Sequence, residues 1–391
     1  MTCLHAGKGF YSRMTWVDRG ECVKERMGQE ELLAYIEQSR EEAERVGASV
    51  KDFRVFSFDH IPERPVIRPE VKRIIDCLVR YQQSGIPRHL VIVGPRGCGK
   101  TLTFRYLEKT FAEKLKLPFF GVNCRIHNSS FKALAALLKT KPRGYAYSEL
   151  CERFEQDIPS PAVIVLDESD MLGEKDLRRD ILYFLSRSSK RYSVVLLSNN
   201  HRYLKQLDES TRSSLQPEVI SFRSYSAQEI LDILKDRAET GLKSVDAGLL
   251  EEIAAMTAKN TNGDVRVAIK ALLYCATKEA ATVAECFSKA REDVIKDILA
   301  NTNEKALLIL KASLEEPSKL VKSVFQHYIT LSRNHGEDPY GYTQFYSTLG
   351  YLASLGLVLL VSAKVERVFT NRIEPLISVE ELYAVFSQRF Q

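Results

Sequence analysis

The four apolar residues Leu90-Val91-Ile92-Val93 run directly into Gly94-Pro95-Arg96-Gly97-Cys98-Gly99-Lys100-Thr101, and a helical pattern follows. No other feature of the 391 residues constrains the fold as strongly. Glycines at this spacing let backbone N–H groups turn inward around an anion at a helix N-terminus. The lysine then reaches the β- and γ-phosphates of a nucleotide, and the threonine hydroxyl ligates Mg²⁺. The loop works only between a buried strand and a helix, so the segment predicts an α/β domain with a parallel sheet covered by helices.

The surrounding sequence supplies the other strands. Phe119–Val122, Val163–Leu166, Val194–Leu197 and Val219–Phe222 are short apolar runs separated by helical stretches. Val163–Leu166 ends in Asp167-Glu168, two carboxylates at a strand's C-terminal end, where open α/β sheets bind ligands. Asp167 is the expected Mg²⁺ partner of Thr101, and Glu168 the group that polarises an attacking water. Asp170 reads as a helix cap. Val194–Leu197 ends in Ser198-Asn199-Asn200, where the Asn199 amide can hold the water. Further on, Gly263-Asp264-Val265-Arg266 opens a helix with Asp264 as N-cap and Arg266 one turn in, able to reach back to the γ-phosphate. Cys98 sits near Lys100 and a helix N-terminus, both of which lower a thiol pKa, so its oxidation is expected to block nucleotide.

After Arg223 the strands stop. Residues 227–240, 246–259, 263–277 and 283–300 read as four successive helices. Helices near 303–314, 317–332 and 343–354, then strands near 357–361 and 367–370, suggest a winged helix. The division expected is an extension over 1–52, a base domain over 53–222, a helical lid over 223–300 and a winged-helix domain over 301–391. Hydrophobic residues at 45% and charged residues at 27% fit an ordinary globular chain and exclude a disordered or collagen-like one. The longest apolar runs fall short of the roughly 20 residues a membrane span needs. The first ten residues lack an apolar signal core, and the 8 cysteines contain no C-x-x-C pair, so a cytoplasmic location without membrane attachment is expected.

These motifs resemble the AAA+ ATPases: Walker A at 94–101, Walker B at 163–168, sensor 1 at Asn199 and sensor 2 at Arg266. Within that class the chain is similar to the archaeal origin-recognition and cell-division-control replication initiators. The likeness rests on Asn123-Cys124-Arg125, the Asp-Glu-Ser-Asp of Walker B, Leu197-Ser198-Asn199-Asn200, Leu207-Asp208 with Ser213-Ser214-Leu215, and the Gly-Asp-x-Arg lid. It spans about 53–391. The resemblance implies an AAA+ P-loop parallel sheet with a helical lid and a C-terminal winged-helix domain. It also implies ATP/ADP and Mg²⁺ as cofactors, and slow, switch-like hydrolysis with Glu168, Asn199 and Arg266 in catalytic roles. The partners it implies are double-stranded origin DNA, a replicative helicase and paralogous initiator subunits. One departure is plain: the family's usual arginine after Leu-Asp-Pro, the finger for a neighbour's site, is here Ser210, with Arg212 the nearest substitute. A clamp-loader subunit, a branch-migration motor and a nucleotide-gated regulator with a protein-binding winged helix are the competing readings.

The net charge of +5 is unevenly placed. Between Lys114 and Ser148 there are seven bases and no acid, including Lys139, Lys141 and Arg143. The middle of this stretch, 128–150, lies where the resemblance implies a helical insertion that enters the DNA minor groove, with 139–145 as its tip. Clustered bases neutralise phosphates and release counterions. The winged-helix region, 299–391, sums to zero, and its expected recognition helix carries no charge. There Thr343 and Gln344, with Tyr346 and Tyr351 nearby, are the candidate hydrogen-bonding groups for DNA, and the wing adds Lys364 and Arg367.

Overall fold

A computed structural model of the chain describes residues 12–16, 22–26, 29–172, 176, 179–365 and 368–390. A hairpin of β1 (Ser12–Trp16) and β2 (Cys22–Arg26) precedes α1 (Gln29–Val46) and α2 (Pro69–Ser84). The base domain then runs β3 (Leu90–Val93), α3 (Lys100–Leu115), β4 (Phe119–Asn123), α4 (Ser130–Leu137), α5 (Tyr147–Asp157), β5 (Val163–Asp167), α6 (Asp180–Arg187), β6 (Ser193–Ser198), α7 (Tyr203–Gln206), α8 (Glu209–Leu215) and β7 (Glu218–Ser221).

The five strands β3 to β7 form one parallel sheet in the order β4-β5-β6-β3-β7. Every residue of β3 is buried because both faces are covered. Successive side chains alternate between those faces. Leu90, Ile92, Val163, Val165, Val195 and Leu197 pack with α2 and α3, whereas Val91, Val93, Ile164, Leu166, Val194 and Leu196 pack with α4, α5 and α6. Tyr81 of α2 fixes the lower edge of this core. Its hydroxyl donates to the Ala162 carbonyl at 3.1 Å or the Arg191 carbonyl at 3.0 Å, and it accepts from the Ala162 N–H at 3.0 Å.

The lid follows as α9 (Ala227–Gly241), α10 (Ala247–Asn260), α11 (Val265–Ala276) and α12 (Val283–Ala300). Its helix starts are encoded locally. Ser226 with Glu229, and Thr282 with Glu285, form reciprocal capping boxes, and Asp246 and Asp264 cap the other two. Residues ahead of the base domain join this unit: Val50 pairs with Leu242, and Val55 and Phe56 are buried in the lid's core. The remaining elements are α13 (Glu304–Glu315), α14 (Val321–Asn334), α15 (Tyr342–Ser354), β8 (Val358–Val365), β9 (Val368–Pro375) and α16 (Val379–Arg389). Three helices and an antiparallel hairpin make the winged helix. The sequence reading stopped at the hairpin, while the structure adds α16, started by a Ser378–Glu381 capping box. The lid and the winged helix share one continuous apolar cluster, which includes Leu299 of α12 with Leu307 and Leu310 of α13, and α12 packs against α16.

Candidate functional site

The phosphate loop leaves the carboxyl end of β3 and ends at the first turn of α3. Gly97 and Gly99 sit at φ +71° and +87°, a left-handed backbone that disfavours any side chain. Space gives a second reason: a Cβ at Gly97 would collide with the Asp264 carboxylate, and one at Gly99 with the Tyr225 hydroxyl. The lid therefore touches the loop directly. From below, Arg68 donates to the Cys98 carbonyl at 2.7 Å and the Arg223 carbonyl at 2.9 Å, and stacks on the rings of Phe222 and Tyr225. Sequence patterns gave no signal for Arg68, because its partners lie 30 and 155 residues away.

Lys100 is buried, and its ammonium donates to the Gly94 and Pro95 carbonyls at 2.8 and 2.9 Å and to Asn199 Oδ1 at 2.8 Å. The three strand ends are thus wired together: β3 through Lys100, β6 through Asn199, and β5 through Asp167. The Thr101 hydroxyl donates to Asp167 Oδ2 at 2.9 Å, and the Glu168 N–H to Asp167 Oδ1 at 2.9 Å. Burial holds the Asp167 carboxyl above its ordinary pKa and the Lys100 ammonium below its own. Glu168 occupies the left-handed region at φ +50°, and its carboxylate pairs with the Arg125 guanidinium. Arg125 also donates to the Asn301 carbonyl at 3.0 Å and the Tyr351 hydroxyl at 3.3 Å, joining Walker B to the start of the winged helix and to α15. Arg266 is held by Asp264, with Nε donating to Oδ1 at 2.8 Å. Arg96 lies on the same side of the loop as these two arginines.

A cleft of about 240 Å³ opens beside the loop. Its walls combine Lys100, Thr101, Asp167, Glu168 and Asn199 with Val66, Ile67 and Tyr106, and with Ile233, Val265, Arg266 and Ile269 of the lid. The apolar half is what a nucleobase needs. Among the described residues no group of three or more His, Cys, Asp or Glu could hold a metal by itself. One carboxylate with one hydroxyl is nonetheless a donor set suited to Mg²⁺, which takes most other ligands from phosphates and water.

Two expectations fail here. Cys98 is buried beneath the loop, and desolvation raises its thiol pKa despite the neighbouring Lys100 and Arg68 charges, so it is not a poised thiolate. Asp170 caps no helix. It lies in a short 3₁₀ turn over Ser169–Met171, and its carboxyl is hydrogen-bonded to Ser198.

The candidate nucleic-acid residues scatter more. Lys139, Lys141 and Arg143 are exposed on the loop between α4 and α5, and no ion pair engages them among the described residues. The insertion is two helices with this basic loop between them, so the tip itself is not helical. Thr343 and Gln344 are exposed at the start of α15. Two other residues of α15 are already engaged, Tyr351 by Arg125 and Tyr346 by Asn371 at 2.6 Å. Arg367 lies outside the described residues, as does the side chain of Lys364. A broad cleft of about 820 Å³ separates α15 from the base domain, with Arg202, Lys205 and Arg223 on its wall and no carboxylate in its lining. The charge run at 114–148 did not point to it, because these three bases come from a different stretch.

The wiring of three strand ends under a capped lid defines an AAA+ nucleotide-binding protein, and family profiles agree. An AAA domain matches residues 85–207, and a Cdc6 AAA+ ATPase-type lid domain matches 231–295. In sequence the chain is similar to the ORC1-type DNA replication proteins of archaea. It is 31% identical over 261 residues to ORC1-type DNA replication protein 1 of Sulfurisphaera tokodaii, covering 61% of this chain and 65% of that one. It is 25% identical over 343 residues to ORC1-type DNA replication protein 1 of Archaeoglobus fulgidus, covering 79% and 83%. The chain thus spans just under two thirds of the first relative's length. In fold it is similar to the Aeropyrum pernix ORC1 protein solved in complex with DNA, with TM-score 0.64, 21% identity, and coverage of 87% and 97%. The Pyrobaculum aerophilum Cdc6p structure matches at TM-score 0.53 and 25% identity, covering 88% and 100%.

Proposed function

We propose that this chain is an ATP-dependent DNA replication initiator that binds origin duplex DNA and uses slow ATP hydrolysis as a switch for helicase loading. The observation that carries the nucleotide half is the wiring of Lys100 to Asn199 and of Thr101 to Asp167 beneath a lid whose Asp264 touches the loop. The loop amides and Lys100 would bind the phosphates, and Val66, Ile67 and Ile233 would cover the base. Thr101 and Asp167 are the residues that would hold Mg²⁺, which screens phosphate charge when bound. Asn199 orients water, and Glu168 polarises it once its carboxylate is released from Arg125. Arg266 would leave Asp264 for the γ-phosphate, so the lid senses which nucleotide is present.

The DNA half rests on the family's ORC1-type replication relatives, the exposed bases Lys139, Lys141 and Arg143, and the acid-free cleft between Arg202, Lys205 and the α15 helix. Thr343 and Gln344, with Lys364 and Arg367 of the wing, are the proposed duplex contacts of the winged helix. Helicase and paralogous initiator subunits, and a cytoplasmic setting, follow from the resemblance alone; among the described residues no helix is long and apolar enough to cross a membrane. Base domain over 53–222, lid over 223–300 and winged helix over 301–391 remain our division of the chain. A second reading, a nucleotide-gated module whose winged helix binds protein, draws on the uncharged α15 and on the internal use of Tyr346 and Tyr351. Gel-shift titration of duplex DNA with ATP against ADP separates the two. Nucleotide-dependent DNA binding supports the initiator, and its absence at low salt favours the protein-binding module.

A further inference from the structure

Three guanidiniums lie close together beside the loop, and two of them are occupied. Arg125 is committed to Glu168, the Asn301 carbonyl and Tyr351, and Arg266 to Asp264. Arg96 is the third, and it makes no hydrogen bond or ion pair with any described residue. Its Nη1 is buried without a partner. Burial and the like charges of Arg266 and Arg125 pull its pKa down to about 10, which still leaves it cationic at neutral pH. A buried, charged donor with no acceptor is costly and implies an anion that the protein itself does not supply. Arg96 also stands two residues after the first glycine of the loop, inside the phosphate cradle rather than on a distant helix. The position where this family takes an arginine from a neighbouring subunit is here Ser210, exposed on α8.

We infer that Arg96 is an arginine finger supplied within the same chain, gripping the γ-phosphate so that ATP discrimination and hydrolysis proceed without a neighbouring subunit. The inference rests on the ATP reading proposed above. In the step it serves, the water oxygen bonds to the γ-phosphorus and the bond to the β,γ-bridging oxygen breaks, leaving its electron pair on ADP. The water's proton departs by way of Glu168. Negative charge grows on the bridging and γ-oxygens, and a guanidinium already fixed in the loop stabilises it without reorganising. ADP lacks the γ-phosphate, so it gains little from Arg96.

The test measures ATP and ADP affinity and single-turnover hydrolysis in the full chain, for the wild type, R96A and R96K. R96A should weaken ATP about tenfold or more, change ADP by no more than about twofold, and slow the single turnover about 10²- to 10³-fold, the scale of one transition-state donor. R96K should recover part of each loss, and wild-type turnover per molecule should not depend on protein concentration. An unchanged ATP-to-ADP affinity ratio and rate in R96A would overturn the inference. So would equal loss of both nucleotides, which marks a role in loop structure only. Turnover that climbs with protein concentration and collapses in R212A would assign the finger to a neighbour instead. A wild type that binds neither nucleotide would sink the ATP reading along with it, an outcome distinct from the rest.

Discussion

Residue by residue, the candidate nucleotide site turns on Lys100, which joins the loop carbonyls to Asn199. Lys100 and Thr101 are adjacent, and Asp167 and Glu168 follow four apolar residues, so spacing alone located them. The K100A variant should lose nucleotide affinity by at least about 100-fold, because the buried ammonium links the loop carbonyls to Asn199. Isothermal titration would show it. E168Q should still bind ATP and turn it over about 100-fold more slowly or worse, the scale of a lost general base. Arg68 and Arg125 were not legible, since each acts across a long sequence separation that no local pattern records. Cys98 was legible in position and misread in chemistry, because burial outweighs the nearby charges and only the fold reveals burial. His89 has a consequence for stability. Its Nδ1 accepts from the Val194 N–H at 3.1 Å, and burial drives its pKa down to about 4. The unfolded chain therefore binds the extra proton between about pH 6.5 and 4, so stability falls as pH falls through that window, by up to about 3 kcal/mol. Urea titrations across that range should show the loss, and H89N, which retains an acceptor, should flatten it.

Among the elements, strands and lid helices emerged within one to three residues of their expected places, because an apolar run or a Ser/Thr/Asp cap marks each one. The winged helix was harder. Helix α14 begins at Val321, and α16 was missed altogether although Ser378-x-x-Glu381 announces it. A short terminal helix contributes little periodicity, and α16 is fixed by packing Phe386 against α13 and its neighbours in the shared cluster. The basic loop between α4 and α5 showed as a charge run, but its loop conformation did not. If Lys139, Lys141 and Arg143 each neutralise one phosphate, the triple alanine variant should lower the slope of log K against log salt by about 2.7. Fluorescence anisotropy on a fixed duplex between low and moderate salt measures that slope directly.

For the whole molecule, the +5 charge means little until it is placed: the winged helix adds none of it, and the 114–148 stretch alone carries seven bases. The three-part order of base, lid and winged helix is a reading of the sequence. That reading did not show that the last two share one core, because packing such as that of α12 against α16 needs the folded geometry. Calorimetry of the full chain should resolve the lid and winged helix as one cooperative transition. Cutting after Thr302 should then expose the apolar lid face, lower that transition by several degrees or abolish it, and raise dye binding. The proposed function requires that this fold grip duplex DNA under nucleotide control. Footprinting on origin-containing duplex with ATP tests it, comparing wild type with K139A/K141A/R143A and with K364A/R367A. Wild type should protect the duplex, less strongly with ADP, and each set of substitutions should weaken that protection. Absence of protection by wild type, or protection indifferent to both sets, would contradict the proposed function.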